Sequence, residues 1–290
     1  MLKEVKGMEF KRFAECTLDE AVTAWNRGFE GYFVQIPMTR DTFIKRMVME
    51  DLSSDCSIVA FSNGEPVALV MNGFRMFGGK KVAWNGGTGI ATSHRGTGLS
   101  NILMEKVLNV YEEENIELAT LEAIEENERA IKLYKKYGYE VVGHLLFLEK
   151  TVPKPVPQKE NFGYHFERIL PEQLSLLPIY KYDVPWQCQW QSVKTGEALL
   201  MKDKTDTVAG YALFKRVLND RGELDKLVLH QLHADNQEVI KMLLAEMLKE
   251  AITPVKVTAI NFLYSHKVTE MLRNEGFEKT VGQVLMTKVI

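Results

Sequence analysis

The chain has 290 residues, 46% of them hydrophobic and 26% charged, with a formal net charge of −3. That length holds one large domain or two ordinary ones, and the composition can bury a sizeable core. The weak net charge gives no bulk attraction to nucleic acid or to an anionic membrane, and no run approaches the ~18 apolar residues of a membrane span.

Three scattered cysteines, Cys16, Cys56 and Cys188, form neither a disulfide framework nor a metal-ligand spacing. The first residues, MLKEVKGMEFKRF, carry no apolar signal region. A cytoplasmic globular protein without a metal is expected, with no nucleic-acid or membrane partner.

In chain order, MEFKRFAE reads as a short strand. TLDEAVTAWNRGF reads as a helix capped at Thr17, with Leu18, Val22 and Trp25 at helical spacing. A second helix follows, capped at Thr39 or Asp41, with Phe43, Ile44 and Met47 on one face. Residues 56–92 then read as three antiparallel strands, because Asn63-Gly64 and Gly78-Gly79 are hairpin dipeptides that accept positive φ. GLSNILMEKVLNVYEEE carries an apolar stripe of Leu99, Ile102, Leu103, Val107, Leu108 and Tyr111. The strand IELATLEAI, the helix NERAIKLYKKYG ending at Gly138 and the strand VVGHLLFLEK complete the first half. The order β-α-α-β-β-β-α-β-α-β implies mixed α/β architecture, a mixed central sheet flanked by helices. KTVPKPVPQKENFG (150–163) packs three prolines into five residues and reads as a linker, so domains are expected at 1–150 and 163–290 with 151–162 between them.

The stretch GGTGIATSHRGTGLS (86–100) poses the functional question, since glycines at this spacing let a backbone approach a phosphate. A dinucleotide fingerprint fits poorly: the third glycine is missing at Thr92, and the helical stripe begins only at Leu99. A nucleoside-triphosphate loop fails because no Gly-Lys-Ser/Thr follows. The phosphate loop is therefore placed at RGTGLS (95–100). Gly96 and Gly98 remove side chains there, and the helix end adds about half a positive charge.

RGTGLS resembles the acyl-CoA loop of the GNAT superfamily of N-acyltransferases, with Arg95 and Gly98 matching and Ser100 in the last small position. NERAIKLYKKYGYE (127–140) is similar to a second motif of that family through Asn127, Ala130, Leu133, Tyr134 and Gly138, with Tyr139 in place of Phe. The resemblance covers about residues 3–150. It implies acetyl-CoA as cosubstrate and a small-molecule or peptide amine as acceptor. By the same resemblance, Ile90, Ala91 and Thr92 end a strand that splays from its neighbour and hydrogen-bonds the pantetheine arm. The amides of Arg95, Gly96, Thr97, Gly98, Leu99 and Ser100 hold the pyrophosphate, and Asn127 touches the arm. Tyr134 faces the thioester sulfur, where a phenol can protonate the expelled thiolate as general acid. Read without the resemblance, Tyr134 shares a face with Ala130, Leu133 and Tyr137 as a core residue would, and Asn127 is a helix cap.

No general base is legible. VAWNGGTGIAT contains no ionisable side chain, and Glu122 is a carboxylate without a distinguishing pattern. The aromatic run Trp25, Phe29, Tyr32 and Phe33 either lines an acceptor pocket or packs in the core. Arg129, Lys132, Lys135 and Lys136 form a basic helix face that is solvated or assists the phosphates.

The second half weakly repeats the first. SHKVTEMLRNEGF lies on NERAIKLYKKYGY with an offset of 138, and QEVIKMLLAEMLKE on TGLSNILMEKVLNV with an offset of 140. Two tandem GNAT folds are expected, the second without a coenzyme loop: Arg95 falls on Asp235, Gly96 on Asn236, Gly98 on Glu238, Asn127 on Ser265 and Tyr134 on Leu272. That degenerate unit is expected to shape the acceptor site or support the first domain. A non-catalytic acyl-CoA-binding or scaffold protein and a nucleotide-dependent oxidoreductase remain as other readings.

Overall fold

The computed structural model of the chain describes residues 7–33, 36–153 and 163–290. Strand β1 (Met8–Arg12) leads into helices α1 (Leu18–Gly28) and α2 (Arg40–Met49), then into strands β2 (Leu52–Ser62), β3 (Glu65–Phe77) and β4 (Lys80–Ile90). Helix α3 (Leu99–Glu113), strand β5 (Leu118–Ile124), helix α4 (Glu128–Lys136) and strand β6 (Glu140–Val152) follow, in the order read from the sequence.

Local chemistry sets these boundaries. Thr17 Oγ1 accepts from the Glu20 amide at 3.2 Å, and the Glu20 carboxylate returns to the Thr17 amide at 2.6 Å. Thr39, rather than Asp41, caps α2. Asn63-Gly64 and Gly78-Gly79 turn the two hairpins, and all three of these glycines and Asn63 have positive φ. The stripe of α3 runs through Leu99, Leu103, Met104, Val107, Val110 and Tyr111; Ile102 and Leu108 lie at its half-buried margins.

The second half continues with β7 (His165–Ile169), β8 (Glu197–Lys202), β9 (Val208–Leu218) and β10 (Leu224–Ala234). Helix α5 (Gln237–Leu248), strand β11 (Val255–Leu263), helix α6 (Lys267–Asn274) and strand β12 (Glu278–Val289) end the chain. Between β7 and β8 short 3-10 turns take the place that α1 and α2 occupy in the first half.

The chain forms two compact units that interleave in sequence. Met1–Ala123, Asn127–Val142 and Leu285–Ile290 make one, and Ile124–Glu126 with Gly143–Val284 make the other. Of the proline-rich stretch, Thr151 and Val152 are the end of β6, whereas residues 154–162 lie outside the described residues.

In the first unit β1 to β5 adjoin in sequence order, antiparallel except for the parallel pair β4 and β5. The second unit repeats the scheme from β7 to β11, with β10 and β11 parallel and β6 antiparallel on β11. The largest fully buried side chains of the first unit include Trp25, Trp84, Tyr111, Phe43, Leu69 and Leu103. Burying side chains of this size stabilises by about 1.5–3 kcal/mol each. Tyr111 also anchors a buried polar chain: its hydroxyl donates to Asn72 Oδ1 at 2.8 Å, and Asn72 Nδ2 donates to the Cys56 carbonyl at 2.8 Å.

Candidate active site

β4 and β5 pair only from Val82/Leu118 to Trp84/Thr120. Beyond that point they part, while β4 stays on β3 as far as Ile90 opposite Ala68. A register shift between Met71 and Asn72 leaves Gly86 as an extra residue in β4, and Asn85 Oδ1 accepts from the Gly87 amide at 2.8 Å. A bulge bends the strand that carries it, so the divergence has a local cause.

The glycines of 86–100 divide into two groups. Gly89 serves packing: a Cβ on Gly28 of α1 would stand 2.7 Å from the Gly89 carbonyl carbon. The helix lies backbone to backbone on the strand there. Gly98 serves the loop. It is the N-cap of α3 with φ +91°, no side chain caps the helix, and the place where its Cβ would stand is open. The first amides of α3 therefore meet a space free of side chains, the arrangement that receives an anion.

Between β4 and this cap the chain makes a 3-10 turn from Thr92 to His94. Ile90 closes the strand, and its carbonyl accepts from Arg95 Nε at 2.9 Å. The Ala91 amide is turned to β3, donating to Val67 O at 2.8 Å, and the Arg95 amide donates to Thr92 O at 3.3 Å. The Arg95 guanidinium also reaches Gly28 O at 3.1 Å and Glu30 O at 2.7 Å, fastening the loop to the end of α1. Thr97 Oγ1 donates to His94 O at 2.8 Å. Leu99 is buried in the core, so that only its backbone faces the loop, and Ser100 is half-buried. A second cation stands by: Arg129 Nη2 lies 3.7 Å from where a Cβ on Gly96 would be.

Asn127 is the N-cap of α4, its Oδ1 accepting from the Ala130 amide at 3.2 Å, and its side chain stands near enough to the Tyr32 hydroxyl to lower its pKa against the effect of burial. Tyr134, two turns further along α4, is 8% exposed. Thr88, on the stretch of β4 that has left β5, stands close enough to the Tyr134 phenol to favour the ionised form, and Tyr32 acts on it electrostatically. Burial pushes the Tyr134 phenol up to about 12, against the lowering effect of Thr88, so it keeps its proton throughout the physiological range. Tyr139 packs on it with ring centroids 5.9 Å apart.

Thr88, Tyr32, Asn127 and Tyr134 thus come together where the two strands diverge. Sequence pattern had grouped Tyr32 with an undivided aromatic run. In the structure Trp25 and Phe29 are core, Phe33 is exposed, and Tyr32 joins the site. Glu122 is half-buried on β5. Among the described residues no group of three or more His, Cys, Asp or Glu is placed to hold a metal.

The second unit differs at the loop itself. Seven residues separate the end of β4 from the cap Gly98, but only Asp235 separates β10 from the cap Asn236. Asn236 Oδ1 takes the amides of Glu238 at 3.0 Å and Val239 at 3.2 Å, so the helix end is occupied by its own chain. From the two caps onward the offset is 138 rather than 140: Gly98 corresponds to Asn236 and Ser100 to Glu238, whereas Arg95 lies in the part of the loop that has no counterpart.

Residues 18–139 match the model of the Acetyltransferase (GNAT) family. The fold of the whole chain is that of a GCN5-related N-acetyltransferase from Sphaerobacter thermophilus, with a TM-score of 0.68 over 98% of this chain and 96% of that one at 12% identity. A putative acetyltransferase from Pyrococcus horikoshii gives 0.64 over 98% and 90% at 16% identity. A tandem GNAT protein from the clavulanic acid biosynthesis pathway gives 0.62 over 97% and 98% at 12% identity. No curated protein matches the chain.

Residues 18–139 match an acetyltransferase family, and the whole chain has the fold of a tandem GNAT protein. The matched stretch lies almost wholly in the first unit, and the general chemistry of the GNAT family is acyl transfer from acyl-CoA.

Proposed function

We propose that the first unit transfers an acetyl group from acetyl-CoA directly to an amine, with Tyr134 protonating the departing thiolate. The observation that carries this reading is the meeting of a protonated, buried phenol with Thr88 on the unpaired stretch of β4. Thr88 Oγ1 already accepts from Asn85 Nδ2 at 2.8 Å, and its own proton can go to the Tyr134 oxygen. The phenol O–H is then free to donate to sulfur.

The uncapped start of α3 suits the diphosphate, met by the amides of Gly96, Thr97, Gly98, Leu99 and Ser100 with Arg129 beside them. Arg95 holds the loop in place through backbone carbonyls. Ile90 and Thr92 offer backbone groups to the pantetheine arm, while the Ala91 amide serves the sheet. Asn127 orients Tyr32 at the same place. The acceptor is a small-molecule or peptide amine. The second unit, with its loop cut to one residue, does not take the coenzyme. The enzyme works in the cytoplasm, where its three free cysteines stay reduced.

Tyr134→Phe tests the reading. It removes the proton and little volume, so kcat for amine acetylation should fall by about 10²–10⁴-fold, with acetyl-CoA affinity nearly preserved. Unchanged kcat with chemistry rate-limiting would remove Tyr134 from the mechanism. Acetyl-CoA binding without acetylation of any amine in a broad panel would make the chain a binding protein instead.

A further inference from the structure

The second unit has a cleft of its own. β10 and β11 run parallel from Lys226/Lys256 to Leu229/Ala259 and then part. From Gln231 to Ala234, β10 stays paired with β9, so its opposite edge is open along that stretch. A cavity of about 400 Å³ lies there, walled by the ends of β10 and β11, the start of α6, and Lys181 and Val184. That volume lies in the range that takes a small organic molecule.

Two wall residues carry buried acceptors without a hydrogen-bond partner among the described residues: His230 Nε2 and Asn261 Oδ1. The residues are 8% and 4% exposed. His230 Nδ1 lies 3.0 Å from the Gln187 carbonyl, which can only accept. Nδ1 therefore bears the proton, and Nε2 presents a lone pair. Burial, helped by Lys215, holds the ring down to about 3, so this tautomer persists at physiological pH. Native structures rarely leave such atoms unmatched, and a group bearing N–H or O–H is what would match them.

Charge and space narrow the class. Lys215 acts on His230 and disfavours a cation deep in the cleft. A diphosphate finds no place, since the start of α5 is capped by Asn236 and the connecting loop is a single acidic residue. The open edge of β10 offers backbone groups to an extended chain of amides, as a neighbouring strand would.

We propose that this cleft binds a neutral, extended small molecule bearing amide and hydroxyl donors, and that it rejects nucleotide-linked forms of such a molecule. The site stands on the second unit alone and does not depend on the acetyl transfer assigned to the first.

The test uses the full chain with ¹⁵N-labelled histidine, the His230 signals being assigned through His230→Gln. The probes are pantetheine, N-acetyl-alanyl-alanine amide and coenzyme A. Pantetheine or the dipeptide amide should move the His230 Nε2 resonance saturably toward its hydrogen-bonded range, and coenzyme A should leave it in place. His230→Phe, checked for an unaltered melting temperature, should weaken this binding at least tenfold, whereas Gly98→Glu in the first unit should not. The proposal is overturned if neither neutral probe moves the resonance, or if coenzyme A moves it as strongly as pantetheine. Because the resonance is read on the unmodified chain, a His230→Phe chain that fails to fold leaves the test intact.

Discussion

Gly98 offers the sharpest separation of affinity from stability in this molecule. Its φ of +91° lies in the left-handed region, so any L side chain strains the turn by roughly 1–2 kcal/mol. The space where its Cβ would stand is open, so no steric clash adds to that figure. Gly98→Ala isolates the strain, and a melting-temperature fall of a few degrees is expected. Gly98→Glu adds a carboxylate at the positive end of α3, which by itself stabilises the free protein by about 0.3–1 kcal/mol. The Glu variant should therefore melt at or slightly above the Ala variant. Its coenzyme affinity should move the other way. One unit charge roughly 5 Å from a phosphate, at an effective dielectric constant of about 20, contributes about 3 kcal/mol of repulsion, or about two decades in Kd. Calorimetric titration with acetyl-CoA, alongside thermal melts of both variants, measures the two effects separately. Affinity of the Glu variant within twofold of the parent would refute the phosphate assignment.

Two further outcomes follow from packing and burial. Gly28→Ala places a methyl group 2.7 Å from the Gly89 backbone, which a strand cannot yield cheaply, and should cost about 1–3 kcal/mol in denaturant unfolding. The chain should also lose stability in alkali. The folded Tyr134 phenol is held up to about 12 against an ordinary value near 10, so its contribution is complete below about pH 10. Above that pH the unfolded chain releases its proton first, and about 3 kcal/mol is lost by about pH 12. Tyr134→Phe should raise the alkaline midpoint; an unmoved midpoint would contradict the burial argument.

What the sequence revealed was mostly local. Thr17, Thr39 and Asn127 are caps because a short oxygen-bearing side chain precedes an amphipathic run, and that pattern spans a few residues. The start of α3 at Leu99 was legible for the same reason. Contacts between distant residues were not. Nothing near Tyr32 announces that its hydroxyl meets Asn127, and nothing in RGTGLS shows that the Arg95 side chain serves the carbonyls of Gly28 and Glu30. The repeat was found from apolar spacing, which survives a deletion. An offset of 140 therefore absorbs the shortened loop before α5, and sets Asp235 opposite Arg95 and Glu238 opposite Gly98. A cut at the prolines likewise could not reveal that Gly143–Val152 of β6 and Leu285–Ile290 belong to opposite units from their sequence neighbours.

The parting of β4 from β5 carries a hazard as well as a site. From Asn85 to Ile90 one edge of β4 is a row of backbone donors and acceptors without a neighbouring strand among the described residues, the surface on which another chain can add itself and begin to aggregate. The sequence of that edge works against such recruitment. Gly86, Gly87 and Gly89 are poor strand formers that leave an incoming strand few side chains to pack against, and the bulge at Gly86 twists the edge out of line. Replacing these glycines with β-branched residues would therefore threaten solubility as well as packing.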